Sequence, residues 1–143
     1  MAKTTKENEL DISMFFSREN ENNGVWFEPT IKGVPSGIEF LVCGLNSNVA
    51  SVADEEWNKD RQTLSDIKDE KLRSKKEDEL FAVRISKYIL DIRGKGGKKL
   101  VIGGKEVTKD DIYDIVYNSP AILVEISRFA SRLENFLLVE KNA

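Results

Sequence analysis

Residues 24–44, GVWFEPTIKGVPSGIEFLVCG, decide the fold predicted for this chain. Two runs rich in β-branched and aromatic residues, 24–28 and 38–43, flank a segment that contains prolines and glycines. This pattern is typical of an antiparallel hairpin. The sequence 34–37, Val-Pro-Ser-Gly, predicts the turn, with proline at its second position. Pro29 predicts the end of the first strand, because proline cannot donate a ladder hydrogen bond.

A long, charged helical segment is predicted after this hairpin, from about residue 46 to residue 81. Its residues are mostly polar helix formers, and residues 46–48 and Ser51 provide N-cap candidates. The apolar residues form only a thin stripe, narrower than the face that a globular helix normally buries. The pattern indicates a solvated face, and it leaves open an arm that packs on a second subunit.

Apolar residues recur at helical spacing from Leu80 to Ile92, so a further helical segment is predicted there. The glycines at 94, 96 and 97 are expected to end it. The most basic part of the chain surrounds these glycines. The G-x-x-x-x-G-K-[ST] order of a phosphate loop is absent, and cations near a helix C-terminus complement its dipole. We therefore interpret the cluster as helix-terminal charge. Its members are Arg93, Lys95, Lys98, Lys99 and Lys105.

The last third of the chain carries strong local signals. Gly103-Gly104 predicts the turn of a short hairpin over 99–107. Thr108 and Asp111 form a capping box, and Ser119 with Pro120 predicts the start of a final helix. The apolar stripe of that helix runs from residue 122 to residue 137.

The expected fold class is α+β, with an N-terminal β-hairpin, a long charged helical middle, a short second hairpin and a C-terminal helical bundle. Residues 1–23 are expected to be a flexible N-terminal tail that carries an apolar island, and residues 24–143 a single α+β domain. The apolar island consists of Leu10, Ile12, Met14, Phe15 and Phe16.

Composition excludes several classes of function. The chain has 143 residues, 22 Lys+Arg, 25 Asp+Glu and a net charge of −3, so bulk positive charge cannot drive binding to nucleic acid. With no histidine and with Cys43 as the single cysteine, neither an internal disulfide nor a thiolate zinc cluster can form. No apolar run approaches the length of a membrane span, and the lone cysteine fits a reducing compartment.

Catalytic and metal-binding patterns are missing. Without histidine, a nucleophile would need a lysine or a carboxylate as its base, and no G-x-S-x-G motif is present. The acidic runs 77–79 and 110–111 are interpreted as solvated helical charges. We therefore expect no enzyme, no cofactor and no metal. A helix-turn-helix over 108–138 is a poor match, because Glu125 and Glu134 accompany its arginines.

The order of the motifs resembles that of phage tail assembly chaperones. The resemblance rests on residues 24–28, 37–42 and 102–107, on Asn118-Ser119-Pro120, and on Asn135-Phe136-Leu137. It spans residues 24–138. Asn46 stands where an acid is expected, which concerns helix capping, a task that asparagine also performs.

The resemblance implies a non-enzymatic assembly factor of a bacteriophage or prophage in the bacterial host cytoplasm. Such a protein binds the tape-measure protein and tail-tube subunits during tail morphogenesis and is absent from the finished particle. It contacts neither nucleic acid nor membrane, and self-association into a homo-oligomer is left open. Two alternatives remain: a structural tail or head–tail connector protein retained in the virion, and a small DNA-binding regulator.

A client-binding protein needs exposed apolar surface with charge around it. Core packing is the alternative role of each apolar residue that could supply such a surface. The partner-binding candidates are Phe15, Phe16, Trp26, Phe136, Leu137 and Leu138.

Overall fold

The structure is a computed structural model that describes residues 8–138 of the chain. It is a mixture of helices and small antiparallel sheets, so the predicted α+β class is confirmed. A short 3-10 helix, Ile12–Phe15, precedes α1 (Arg18–Asn23). The predicted hairpin follows, because β1 (Val25–Phe27) pairs antiparallel with a strand at residues 38–42.

The tip of this hairpin differs from the prediction. A second ladder, β2 (Thr30–Ile31) with β3 (Val34–Pro35), closes around Lys32 and Gly33. Both turn residues have positive φ, 54° and 77°, as two-residue hairpin turns require. The turn predicted over residues 34–37 is therefore wrong. Pro35 fits in β3 because that strand is an edge strand, where a missing donor costs no ladder hydrogen bond.

The helical middle consists of two antiparallel helices. After β4 (Ile38–Val42), α2 (Asn48–Gln62) leads through the 3-10 turn Thr63–Asp66 into α3 (Glu70–Lys87). The Ser47 hydroxyl accepts a hydrogen bond from the Ala50 amide at 3.1 Å and so caps α2. The helix that the apolar spacing predicts through Ile92 ends five residues earlier, at Lys87.

The residues after α3 form a strand instead. β5 (Ile89–Gly94) pairs antiparallel with β4 and completes a sheet of order β1-β4-β5. The Cys43 amide donates to the Tyr88 carbonyl at 2.8 Å at the start of this pairing. Because β4 needs a partner on this side, strand pairing overrides the local helical period. The glycines at 94, 96 and 97 therefore do not end a helix; the latter two lie in the 3-10 turn Lys95–Gly97.

The C-terminal third follows the prediction up to its last helix. β6 (Val101–Ile102) and β7 (Lys105–Glu106) pair around the two glycines. The capping box of Thr108 and Asp111 is present, and α4 (Ile112–Asn118) and α5 (Pro120–Ser131) follow it.

The final helix is shorter than its apolar stripe predicts. α5 ends at Ser131, and Arg132 is extended. The Asn135 side-chain amide donates to the Phe129 carbonyl at 3.0 Å. In a longer helix this carbonyl would accept from a backbone amide of the next turn, so the side chain takes the place of that hydrogen bond. Residues Leu133–Phe136 form a separate 3-10 turn.

The core lies between one face of the sheet and the helices. Phe40 and Val42 of β4 and the side chain of Tyr88 are at most 1% exposed and pack with buried residues of α2 to α5. The register places Trp26 opposite Leu41 on the other sheet face, together with Glu39 opposite Arg93. One sheet face therefore belongs to the core, and the other carries mixed aromatic and charged residues.

The region expected as a flexible tail, 1–23, is attached to the domain over its last residues; residues 1–7 lie outside the described part. The buried Glu21 carboxylate accepts hydrogen bonds from the Asn46 amide at 3.2 Å and from the Ser17 hydroxyl at 3.0 Å. The Asn48 amide donates to the Asn22 side chain at 2.8 Å. Polar side chains of α1 thus hold the loop between β4 and α2. Among residues 8–138, no helix is long and apolar enough to cross a membrane.

Candidate protein-binding site

The two ends of the described chain meet at one apolar surface. The Leu138 amide donates to the Phe16 carbonyl at 2.9 Å, and the Asn20 side chain donates to the Phe136 carbonyl at 3.0 Å. A groove of about 470 Å³ lies between Phe16, Leu133 and Leu138. We name the exposed apolar residues of this groove and of the adjoining N-terminal segment the terminal patch. It consists of Leu10, Ile12, Met14, Phe15, Phe16, Leu133 and Leu138.

The terminal patch is held in place although its side chains are exposed. Phe15 and Phe16 are 58% and 57% exposed, and Leu10 is 71% exposed. The 3-10 helix that carries Phe15 is capped by Asp11, whose carboxylate accepts from the Ser13 amide at 3.0 Å and from the Ser13 hydroxyl at 2.6 Å. An ordered segment that presents large apolar side chains outward is typical of an interaction site.

The structure brings two of the predicted partner-binding residues together, Phe16 and Leu138, and Phe15 is exposed next to Phe16 in the chain. Leu137 lies beside them and is half-buried. Leu133 was assigned to the stripe of the final helix and was missed as a surface residue, because α5 ends before it. The signal that could have revealed it is Asn135, which is well suited to bond the carbonyls at a helix end.

Phe136 belongs to the core rather than to the surface. It is fully buried, and its ring meets that of Phe129 edge-on with 5.5 Å between centroids. Phe129 in turn stacks on Phe27 of β1 at 4.3 Å. The three rings join the last 3-10 turn, α5 and the sheet. Phe136 therefore has no surface to offer a partner in this structure.

Trp26 lies on the outer sheet face and does not line the groove of the terminal patch. Its ring is half-buried because the Arg93 guanidinium stacks on it at 3.8 Å from the ring centroid. Arg93 also binds the Glu39 carboxylate at 2.7 Å. The Trp26 ring is therefore already in a cation–π contact within the chain. The ion pair with Glu39 holds Arg93 in this position.

A second apolar depression lies next to the β6–β7 hairpin, and sequence reasoning did not predict it. We name it the hairpin groove; it measures about 840 Å³. Ile92 of β5, Ile115 of α4 and Ile122 of α5 line it, and Val101 and Ile102 are 54% and 52% exposed. β6 consists only of the apolar residues Val101 and Ile102 and pairs with another two-residue strand. So small a ladder cannot cover both side chains, and this is the sequence signal that could have revealed the groove.

Three members of the basic cluster, Arg93, Lys95 and Lys99, lie beside carboxylates. Besides the Arg93 pair, the Lys95 ammonium lies 3.0 Å from Glu28 and the Lys99 ammonium 3.9 Å from Glu106. The hydrogen bond from Lys95 and a further one from the Gly37 amide lower the pKa of Glu28. The cluster begins in β5 and continues in the segment after it, so the interpretation of these residues as charge at the end of a helix through Ile92 is wrong.

Potential metal ligands and the single cysteine were the chemical groups considered in the sequence. Residues 8–138 contain no group of three or more His, Cys, Asp or Glu side chains that could hold a metal ion. Cys43 is fully buried, and burial raises the pKa of its thiol. The neutral thiol is a poor nucleophile.

A polar cluster locks α2 onto α3. One Asp54 carboxylate oxygen accepts from Arg84 Nε and from the Tyr88 hydroxyl, both at 2.7 Å. The Arg84 guanidinium also stacks 4.3 Å from the centroid of Trp57. Burial, followed by the hydrogen bond to Asp54, raises the pKa of Tyr88 to about 12. The cluster holds the two helices together and leaves their outer faces to solvent.

We expect Tyr88 to make stability fall between pH 10 and pH 12. The folded state holds the phenolic proton more tightly than the unfolded chain, where the pKa is near 10. The contribution of Tyr88 to the free energy of unfolding is therefore fully present below pH 10 and is lost as the pH rises to about 12. The loss amounts to about 2–3 kcal/mol. Urea unfolding at stepped pH measures it. Tyr88→Phe should be less stable than the wild type at pH 8 and should show a shallower decline above pH 10. Equal declines in both proteins would contradict this assignment.

No protein-family model, curated protein or solved structure matches the chain. A function for it is therefore argued from its residues and from the surfaces described above.

Proposed function

We propose that the protein is a phage tail assembly chaperone, which binds the tape-measure protein and tail-tube subunits in the cytoplasm of the bacterial host. The proposal starts from the resemblance of residues 24–138 to that family. The structural observation that supports it is the terminal patch, in which Phe15, Phe16 and Leu138 are exposed together. In this role the protein performs no chemistry and covers apolar segments of its client until the tail assembles.

The physical basis is burial of apolar surface. Each Phe or Leu side chain transferred from water into a contact contributes about 1.5–3 kcal/mol. Several such residues in contact with a client therefore give useful affinity even after the entropic cost of association. The groove combines the apolar Phe16, Leu133 and Leu138 with polar and charged residues of α1, and an amphipathic client helix docked in a groove is one of the recurring modes of peptide recognition.

Replacing two rings of the patch should remove client binding without unfolding the protein. In coexpression with the neighbouring tail genes, we expect the wild type to keep the tape-measure product soluble. Phe15→Ser/Phe16→Ser should weaken binding by more than about 3 kcal/mol, or over about a hundredfold in Kd. The client should then move to the insoluble fraction, as measured by sedimentation and gel quantification.

The matched control removes exposed apolar side chains elsewhere. Val34 and Val52 are 64% and 58% exposed and lie outside the patch, so Val34→Ser/Val52→Ser should keep the client soluble. Circular dichroism verifies that both variants fold. Equal loss of client with the control, or unchanged solubility with the patch variant, would refute the proposed site.

Two further measurements address the alternatives. Purified virions should lack the protein, because a chaperone leaves the finished tail; a fixed copy number in the particle would favour a structural tail or connector protein. A DNA-binding regulator would show binding that weakens steeply with salt. We expect no such binding.

A further inference from the structure

The junction between α1 and β1 requires a glycine. Gly24 has φ of 84°, a conformation that residues with a side chain rarely adopt. A Cβ at this position would also lie 2.9 Å from Cγ of Leu41 in the neighbouring strand, closer than two carbon atoms normally approach. Both the backbone conformation and the packing on the sheet therefore select glycine at position 24.

Asn23, the residue before this glycine, is the last residue of α1 and is exposed. It is the one asparagine in the sequence that is followed by glycine. Within residues 8–138 its side chain makes no hydrogen bond, whereas the side chains of Asn20 and Asn22 are both bonded. The Asn23 side chain can therefore turn toward the backbone nitrogen of the next residue.

The chemistry open to this pair is an intramolecular ring closure. The Gly24 backbone nitrogen loses its proton to hydroxide and attacks Cγ of Asn23. A C–N bond forms, the Cγ–Nδ2 bond breaks, and ammonia leaves after taking a proton from water. Water then opens the resulting succinimide at either carbonyl, which gives aspartate or isoaspartate at position 23. Glycine favours the first step, because no Cβ on the attacking residue hinders the approach.

One hydrogen bond restrains this reaction in the folded protein. The Gly24 amide donates to the Asn20 carbonyl at 2.9 Å, so its nitrogen reacts only when the end of α1 opens. A helix of six residues is not stable by itself, and helix ends fray. Glu21 and Asn22 bond the loop before α2, and Asn23 lies just beyond this anchored part. The opening that the reaction needs is therefore local and small.

We propose that Asn23 deamidates spontaneously in the folded protein, and that isoaspartate at this position loosens α1 from the domain. Isoaspartate lengthens the main chain by one carbon atom between α1 and β1. Val25 is held in register opposite Val42, so α1 has to absorb the extra length. The new carboxylate also lies at the C-terminus of α1, where negative charge is unfavourable. This inference is independent of the proposed function.

Timed incubation of the purified full-length protein at pH 8 tests the site. The tryptic peptide of residues 19–32 should gain about 1 Da, and electron-transfer fragmentation should assign the change to Asn23. A zero-time sample corrects for conversion during digestion. Asn46 and Asn118 are exposed and precede serine, so they serve as internal controls and should convert at least about tenfold more slowly.

Two conditions test how the fold restrains the reaction. Conversion at Asn23 should accelerate as the pH rises, because the attacking nitrogen has to lose its proton. It should also accelerate in urea at constant pH, because urea opens α1 and breaks the bond from Gly24 to Asn20. An equal rate with and without urea would contradict the restraint by this hydrogen bond. Conversion at Asn23 that is no faster than at Asn46 overturns the proposed site.

Hydrogen exchange measures the loosening of α1. The Gly44 amide donates to the Glu21 carbonyl at 3.0 Å and the Asn46 amide to the Glu21 carboxylate. In the isoaspartate form, separated by ion exchange, both amides should exchange severalfold faster than in the unmodified protein. Unchanged exchange would overturn the loosening.

Two variants separate the lengthened main chain from the added charge. Asn23→Gln should stay unmodified, because its longer side chain closes a six-membered ring less readily, and its amides should exchange as in the unmodified protein. Asn23→Asp adds the charge alone and should accelerate exchange less than isoaspartate does. Equal acceleration in Asn23→Asp and in the isoaspartate form would contradict the role of the lengthened chain. Circular dichroism verifies that every form is folded.

Discussion

Phe136→Ala should lower the free energy of unfolding by about 3–5 kcal/mol, the usual cost of removing a buried phenyl ring. Phe136 is fully buried, and its ring contacts Phe129, which stacks on Phe27. The substitution would leave a cavity where the last 3-10 turn meets α5 and the sheet. Urea unfolding followed by circular dichroism measures the change.

The neighbouring Leu138 provides the control. It is 44% exposed, so Leu138→Ala should change the free energy of unfolding by no more than about 1 kcal/mol. In the client assay the order should reverse: Leu138→Ala weakens client binding, whereas any effect of Phe136→Ala follows from unfolding. A stable Phe136→Ala protein that loses its client would show that Phe136 acts at the surface, as the sequence alone suggested.

Gly94→Ala should lower the free energy of unfolding by about 2–4 kcal/mol. Gly94 is the last residue of β5 and is buried, and a Cβ at this position would overlap the carbonyl oxygen of Lys98. That atom belongs to the backbone, so no side-chain rotation can relieve the overlap. Thermal unfolding and amide hydrogen exchange along β5 should both report the loss.

Gly96→Ala is the control that measures the effect of backbone strain without any steric overlap. Gly96 has φ of 67°, and a Cβ there would meet no atom within 4 Å. Only the cost of the left-handed conformation applies, about 1–2 kcal/mol. If Gly94→Ala proved no more destabilising than Gly96→Ala, the close approach of the Lys98 carbonyl to Gly94 would be refuted.

Features governed by neighbours in sequence could be predicted. The capping box at Thr108, the start of α5 at Pro120 and the turn at Gly103-Gly104 each depend on the conformation of two to four adjacent residues. The turn at Lys32-Gly33 was missed although it is equally local. Pro35 favours a turn over residues 34–37, whereas Gly33, which accepts a positive φ, decides the register.

Features governed by distant contacts could not be predicted. The segment from Ile89 continues the helical spacing of α3, yet it becomes a strand because β4 lies beside it. The polar segment of α1 shows no periodicity. Its order comes from Glu21 and Asn22, which bond the loop before α2. Neither partner is near in sequence, so no local rule signals the contact.

The candidate site shows the same division. Phe15 and Phe16 could be selected from the sequence because large apolar side chains stand next to a polar segment there. That Leu138 joins them, while Phe136 two residues earlier turns inward, depends on how the chain leaves α5. The direction of a side chain after a helix break is set by tertiary packing.

The backbone bond between Leu138 and Phe16 has a practical consequence for labelling. An affinity tag or fluorescent fusion joined after Leu138 would emerge beside Phe16 and would shield the surface under study. A dye attached to a cysteine introduced at Ser65, which is exposed in the turn between α2 and α3, would report binding without this interference, since Cys43 is buried and reacts poorly.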